Sequence, residues 1–170
     1  MDKFAKGHAI VIGPEEGESF WQPVPSTGFI TSKITPYNSP YDSFSSGIQV
    51  LEAGSSVKQH AHERGHELIF VYEGSGYTEI DGERHELTQG SMMIVGRQVQ
   101  HMVCNTGDSQ LKMMWVIFPP GLEDWFRAIG KPRMPGEETP EPFERPKNVA
   151  AIQDQQRFVR ADKETKMDGS

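Results

Sequence analysis

The chain has 170 residues and a net charge of −7, from 17 Lys and Arg against 24 Asp and Glu. This length suits a single domain, and the excess of acid excludes the basic surface that non-specific nucleic-acid binding needs. No apolar run approaches the roughly 18–20 residues that span a bilayer. The single cysteine, Cys104, excludes an internal disulfide and a thiolate metal cluster. We therefore expect a cytoplasmic protein that binds neither nucleic acid nor membrane.

Residues 1–27 are predicted to form an N-terminal segment with one strand, His8–Ile12. From Gly28 to Phe118, short runs rich in Val, Ile, Tyr and Phe alternate with Gly-containing turns, which is typical of antiparallel strands. The pattern predicts an all-β sandwich or barrel over residues 28–119. Its strands are Phe29–Ile34, Gly47–Leu51, Val57–His60, Leu68–Glu73, Tyr77–Ile80, Arg84–Leu87, Met92–Val95, His101–Asn105 and Leu111–Phe118.

Residues 120–170 follow a different pattern. Leu122–Ile129 has its apolar residues at helical spacing and is followed by Gly130, which predicts a short helix. Residues 131–146 carry five of the 12 prolines and are predicted to form an extended arm. A weaker helical pattern covers Asn148–Gln155, and the polar last ten residues are predicted to be disordered.

Most of the candidate metal ligands lie in one short segment of the chain. His60 and His62 are two residues apart in a predicted strand, so both imidazoles point to one face of it. Glu67 follows five residues later, and His101 opens another strand. Three imidazoles and one carboxylate suit a first-row divalent metal, although an isolated strand histidine is more often a surface or hydrogen-bonded residue.

The chain resembles the cupin superfamily, because both short motifs of that family occur in order. The first, G-x5-H-x-H-x4-E-x6-G, starts at Gly54 and is matched at every position. The second, G-x5-P-x-G-x2-H-x3-N, starts at Gly90, with Gly96 at the family proline and Gln98 at the family glycine. These two departures fall in the turn before a strand, so they bear on the shape of that turn. The resemblance covers Gly47–Phe118.

The resemblance implies a jelly-roll barrel (a double-stranded β-helix), and the predicted C-terminal helix and arm lie outside the segment that the resemblance covers. It also implies one divalent transition-metal ion per chain, with Fe(II) favoured and Mn, Ni, Zn, Co or Cu possible, since availability decides among them. His66 competes with Glu67 as a ligand, but only Glu67 fits the motif spacing. The implied ligands are His60, His62, Glu67 and His101.

A pocket for a small-molecule substrate is expected beside these ligands. Alternation along the strands turns the neighbours of Glu67 and His101 inward, and Arg97 at the barrel rim could bind a substrate carboxylate. Core packing, or for Arg97 a plain surface charge, is the competing interpretation. The candidate substrate-binding residues are Ile69, Val71, Met93, Arg97, Val103 and Trp115.

Three classes of function remain open at this point. The resemblance favours a dioxygenase that acts on a small aromatic, flavonol-like or diketone substrate. A non-redox lyase, isomerase or decarboxylase is the second class, and a small-molecule-binding protein without catalysis is the third. The resemblance also favours a homodimer, for which Trp125 and Phe126 on the predicted helix would offer an exposed aromatic patch.

Overall fold

The protein folds into two antiparallel β-sheets of the jelly-roll type, seen in a computed structural model that describes residues 7–155 and 158–160. One sheet has seven strands, in spatial order β11 (Lys131–Pro132), β1 (Glu18–Trp21), β2 (Gly28–Ile34), β3 (Ser45–Leu51), β10 (Leu111–Phe118), β5 (His66–Glu73) and β8 (Met92–Val95). The other has five, in the order β12 (Phe158–Arg160), β4 (Ser56–His62), β9 (His101–Cys104), β6 (Ser75–Ile80) and β7 (Glu83–Thr88). The all-β jelly-roll prediction is confirmed.

The two longest strands, β5 and β10, bury every second side chain, as a period of two requires. Strand β10 shows this most clearly, because its buried and partly exposed residues alternate over its whole length. The inward side chains of both sheets form one apolar cluster, which includes Leu111, Met113 and Trp115 from the seven-stranded sheet and Val103 from the five-stranded sheet. The space between the sheets is therefore the core of the protein.

Helix α1 (Leu122–Ile129) follows the last long strand and packs onto this core. Trp125 and Phe126 are only 8% and 7% exposed, and the ring of Phe126 lies 5.7 Å from that of Trp115. The helix thus buries its apolar face against its own barrel. The expectation that these two aromatic residues form an exposed contact patch is wrong, because the barrel itself covers them.

The N-terminal strand lies later in the chain than predicted. His8–Ile12 forms no strand, and β1 is Glu18–Trp21 instead, paired with β2. Burial explains the difference: Val11 is 93% exposed, whereas Phe20 and Trp21 are buried. A short apolar run alone did not distinguish a segment that pairs with the sheet from one that lies on the surface.

After helix α1 in the sequence, the arm leads into helix α2 (Val149–Gln155). Val149 and Ile152 of this helix are partly buried and pack against the core. Strand β12 then pairs with β4, which adds a C-terminal strand that no sequence pattern indicated. The predicted disordered tail, residues 161–170, lies outside the described residues. Within the described part of the chain, no helix has the length and hydrophobicity to cross a membrane.

Candidate metal centre

Four side chains from three strands meet between the sheets. His60 and His62 lie at the end of β4, and β4 pairs with β9 so that His60 stands opposite His101. Glu67 comes from the start of β5 in the facing sheet. β4 belongs to one sheet and β5 to the other, so the turn between them connects the two sheets. This connection places the Glu67 carboxylate opposite the imidazoles of His60 and His62.

The ligand atoms of these four residues all lie within 4.8 Å of one another. An oxygen of Glu67, Oε2, lies 3.0 Å from Nε2 of His62 and 3.2 Å from Nε2 of His101. Two ligand atoms that each lie about 2.1 Å from one metal ion at right angles are about 3.0 Å apart. The spacing therefore fits a shared ion, and the group could hold one.

The hydrogen-bond partners of His101 support the same conclusion. Its Nδ1 lies 3.0 Å from the carbonyl oxygen of Val99, while its Nε2 faces the Glu67 carboxylate. Both partners are acceptors, yet a neutral imidazole has only one N–H to donate. If Nδ1–H donates to the carbonyl, the Nε2 lone pair faces the negatively charged carboxylate. This contact is repulsive unless a proton or a metal ion lies between the two atoms.

His60 is oriented in the same way, since its Nδ1 lies 2.8 Å from the carbonyl oxygen of Lys58. Backbone acceptors at Nδ1 are the usual means of fixing a metal-binding histidine as the tautomer that offers Nε2. In two of the three histidines, the chain itself thus aims Nε2 at the centre of the group.

Charge also favours the ligating forms. Burial lowers the pKa of His60 well below its ordinary value, and the neighbouring His101 and His62 lower it further, so this imidazole is neutral at neutral pH. Burial opposes ionisation of Glu67, but hydrogen bonds with His101 and His62 outweigh it and hold the Glu67 pKa well below its usual range. Neutral imidazole and ionised carboxylate are the forms that bind a metal.

A cavity of about 60 Å³ opens beside the centre. His60, Glu67 and His101 line its floor, and its wall is mostly apolar, with Ile69 and Val103 from the barrel strands. Helix α1 covers it with Leu122, Trp125 and Phe126. Such a volume holds a few water molecules or part of a small organic molecule.

The remaining sequence candidates lie elsewhere. Val71, Met93 and Trp115 point inward, but none of them lines this cavity, and Trp115 packs over Gly47 instead. Arg97 is exposed in the turn before β9 and does not line it either. His66 stacks on Phe118 at 5.6 Å and does not belong to the metal-binding group.

Sequence reasoning missed several residues of the cavity. Gln49 of β3, Gln153 of α2 and Arg145 of the arm all line it. The apolar spacing of helix α1 was visible in the sequence, but the surface that it would cover was not. For Arg145 there was no signal at all, because the arm has no periodicity that would fix its path.

The motif residues that are not ligands have structural roles. Gly74 has φ 85°, and a Cβ there would lie 2.4 Å from the carbonyl oxygen of Gln110, so only glycine fits. Buried Asn105 brings Nδ2 within 2.8–3.0 Å of the carbonyl oxygens of Leu51, Glu52 and Ser109. It ties the end of β3 to the loop before β10.

Comparison with known proteins agrees with this architecture. A family model described as "Cupin domain" matches residues 47–117. Protein SchB of Streptomyces halstedii is 25% identical over 92 residues, which are 54% of this chain and 67% of that protein. Polyketide synthase CurC of Streptomyces cyaneus is 24% identical over 92 residues, and the match spans 60% of its length, less than two thirds.

Among solved structures, a protein from Thermotoga maritima described as a "predicted oxalate decarboxylase" aligns with a TM-score of 0.56 at 20% identity. The alignment covers 65% of this chain and 99% of that one, and at this identity it speaks for the fold alone. Both motifs and the family model thus lead to one conclusion: residues 47–117 are similar to a cupin domain, and the jelly-roll sheets have the fold of the Thermotoga maritima protein.

Proposed function

We propose that the protein is a metal-dependent dioxygenase that acts on a small aromatic, flavonol-like or diketone substrate. The observation that carries the proposal is the complete His60, His62, Glu67 and His101 group at the floor of a largely apolar cavity. Divalent iron held by these four residues would supply adjacent open positions for dioxygen and a substrate oxygen.

The side chains around the group would prepare this chemistry. The carbonyl oxygens of Lys58 and Val99 keep two imidazoles aimed at the centre. Glu67 stays ionised and offsets one positive charge of the ion. The apolar covering from helix α1 would exclude water from the reacting atoms, which protects reactive intermediates from hydrolysis.

The wall of the cavity supports the substrate class. The rings of Trp125 and Phe126 offer flat apolar surfaces to an aromatic body. One of the similar Streptomyces proteins is named a polyketide synthase. Polyketides carry ketone groups on alternate carbons, which is the arrangement of a 1,3-diketone.

Metal analysis followed by oxygen-electrode assays tests the proposal. The purified protein, reconstituted with Fe(II), should consume dioxygen in the presence of a catechol, a flavonol or a 1,3-diketone. Glu67→Gln, which changes one ligand at nearly constant volume, should lose that uptake. Iron-loaded protein that consumes no dioxygen with any of the three classes would contradict the proposal.

A non-redox reaction is the second candidate, and the description of the Thermotoga maritima structure as a predicted oxalate decarboxylase is the reason to test it. In such a reaction the ion would polarise a carbonyl or carboxylate without a change of oxidation state. Turnover of oxalate or a related acid under strict exclusion of dioxygen would select this alternative.

A further inference from the structure

The arm that follows helix α1 brings a cation into the cavity. Arg145 lines the cavity together with His60, Glu67 and His101, and its Nε is buried without a hydrogen-bond partner. Its guanidinium carbon lies 5.8 Å from the centre of the Trp125 ring, near the outer limit of a cation–π contact. Among the described residues, Trp125 is the aromatic ring that this guanidinium faces.

No carboxylate of the described part of the chain forms an ion pair with this guanidinium. Besides the site histidines, the cationic residues in the ion pairs found there are Arg64, Arg84, Lys112 and Arg127. Arg145 forms no ion pair with any described residue. Burial lowers its pKa, with no opposing contribution from a neighbouring acid. Arg145 as a whole is half-buried, and a charge that is partly removed from water is costly unless it is paired.

The arm holds Arg145 at this place from both sides. Two residues before it, the carbonyl oxygen of Phe143 accepts a hydrogen bond from the Val24 amide at 2.9 Å. One residue after it, the carbonyl oxygen of Pro146 accepts from the Val149 amide at 3.0 Å, where helix α2 begins. The guanidinium is therefore carried by a segment with fixed ends.

The charges of the cavity favour an anionic ligand. Among its lining residues, Glu67 is the one acid, and a divalent ion bound there would leave the metal centre with a net charge of about +1. Arg145 adds one positive charge, and Lys58 at the rim adds another. The guanidinium offers parallel N–H donors that match the two oxygens of a carboxylate.

We propose that Arg145 binds the carboxylate of the substrate, so that the ligand of this cavity is a small carboxylic acid with an apolar, preferably aromatic, body. The acid group meets the guanidinium while the body lies against Trp125 and Phe126. This inference rests on the proposed metal site and narrows its substrate class.

Calorimetric titration with benzoate tests the inference, with neutral benzamide as a probe of the same shape. Zinc-loaded protein is used so that no oxidation occurs, and its metal content is measured before each titration. Arg145→Met keeps a chain that can lie on Trp125 but removes the charge. We expect it to weaken benzoate binding at least about tenfold and to leave benzamide unchanged, because only the acid uses the guanidinium.

Three further variants make the result specific. Arg145→Lys should retain part of the preference for benzoate, since lysine keeps the positive charge but lacks the parallel N–H donors of the guanidinium. Lys147→Met removes an equal charge from an exposed residue of the same arm and should have no effect. Arg97→Met tests the rival candidate for the same role. Loss of the preference in Arg97→Met, or an unchanged preference in Arg145→Met, overturns the inference.

The experiment distinguishes a failure of the proposed metal site from a failure of the proposed role of Arg145. If the protein bound no metal, the zinc measurement would show it before any ligand was added, and the proposed function would fall. The same titrations on metal-free protein would still compare Arg145→Met with the unchanged chain. Wild-type protein that shows no preference for benzoate over benzamide in either form also overturns the inference.

Discussion

Each of the four candidate ligands contributes one donor atom, and His101 has the most constrained position. It is 1% exposed, and both of its ring nitrogens face acceptors. Removal of this imidazole takes away one bond to the ion and also the group that faces Glu67 across the centre. The effect of its loss should therefore exceed that of any histidine on the surface.

We predict that His101→Ala weakens zinc binding more than about 100-fold, since even residues outside the ligand set of metal sites contribute about 10–100-fold. Competition with a chelator of known affinity measures the change. His85→Ala, at an exposed position of β7, should bind zinc like the unchanged protein. Full zinc occupancy in a His60→Ala/His62→Ala double variant would refute the assignment of the site.

Acid should destabilise the protein through the same residues. The pKa of His60 is lowered by burial and by the neighbouring imidazoles, whereas a histidine of the unfolded chain titrates at about 6.5. As the pH falls below about 6.5, the unfolded chain binds more protons than the folded one, so the free energy of unfolding decreases. Protons also displace a metal from imidazole, which acts in the same direction.

The melting temperature in excess zinc should therefore rise with pH between about 5 and 7. A chelator should reduce this slope without abolishing it, because the shifted pKa of His60 remains after the metal is gone. Melting curves at several pH values, with zinc and with chelator, measure both contributions. Equal slopes in the two series would show that these histidines are structural.

The turn between β8 and β9 explains the departure from the second motif. Gln98 occupies the position of the family glycine and has φ 62°, in the left-handed region that glycine adopts without strain. Its amide still donates to the carbonyl oxygen of His62 at 2.8 Å, so the turn keeps its connection to the metal-binding strand. The turn is thus formed at the cost of strain in one residue.

Gln98→Gly should stabilise the protein by about 0.5–1 kcal/mol, the strain relieved minus the greater entropy of glycine in the unfolded chain. Denaturant unfolding of zinc-free protein measures this difference. Arg97→Gly, one residue earlier and without a positive φ, should instead be neutral or destabilising. An equal loss of stability in both variants would show that Gln98 is not strained.

How well the sequence predicted each element depended on how local its determinants are. Met92–Val95, Leu111–Phe118 and Leu122–Ile129 appear with the predicted bounds, because the alternation or helical spacing lies within the segment itself. The prediction of a strand at His8–Ile12 was wrong because pairing with a sheet depends on residues that are distant in the sequence. The ligand group was recognisable through its motif spacing, whereas the position of Arg145 depends on how the arm folds back.

At the scale of the whole molecule, part of the outer face of the seven-stranded sheet is apolar. Two rows of side chains cross β10, β5 and β8 in register: Met114, Phe70 and Met92 form one, and Val116, Leu68 and Ile94 form the other. Met92 and Ile94 are 63% and 65% exposed. β8 is also the last strand of its sheet, so its outer edge is unpaired among the described strands.

We propose that this face, and not helix α1, joins two copies of the chain into a homodimer, since contiguous apolar patches mark contact surfaces. Light scattering should then give twice the chain mass of 19.1 kDa. Ile94→Lys should yield monomers, while Val11→Lys, at an exposed residue outside the sheet, should not. A monomeric mass for the unchanged protein at all concentrations would reject the dimer.

The order of the segments along the chain also has a consequence for biosynthesis. All four ligands and the last long strand precede residue 119, whereas everything that covers the cavity comes later. At about 5–20 residues per second, a ribosome needs roughly 2–7 seconds to add residues 119–153, which include every later residue that lines the cavity. A barrel that folded within that interval would have its complete ligand group but no cover, so an ion could enter before Leu122, Trp125 and Phe126 close over the cavity.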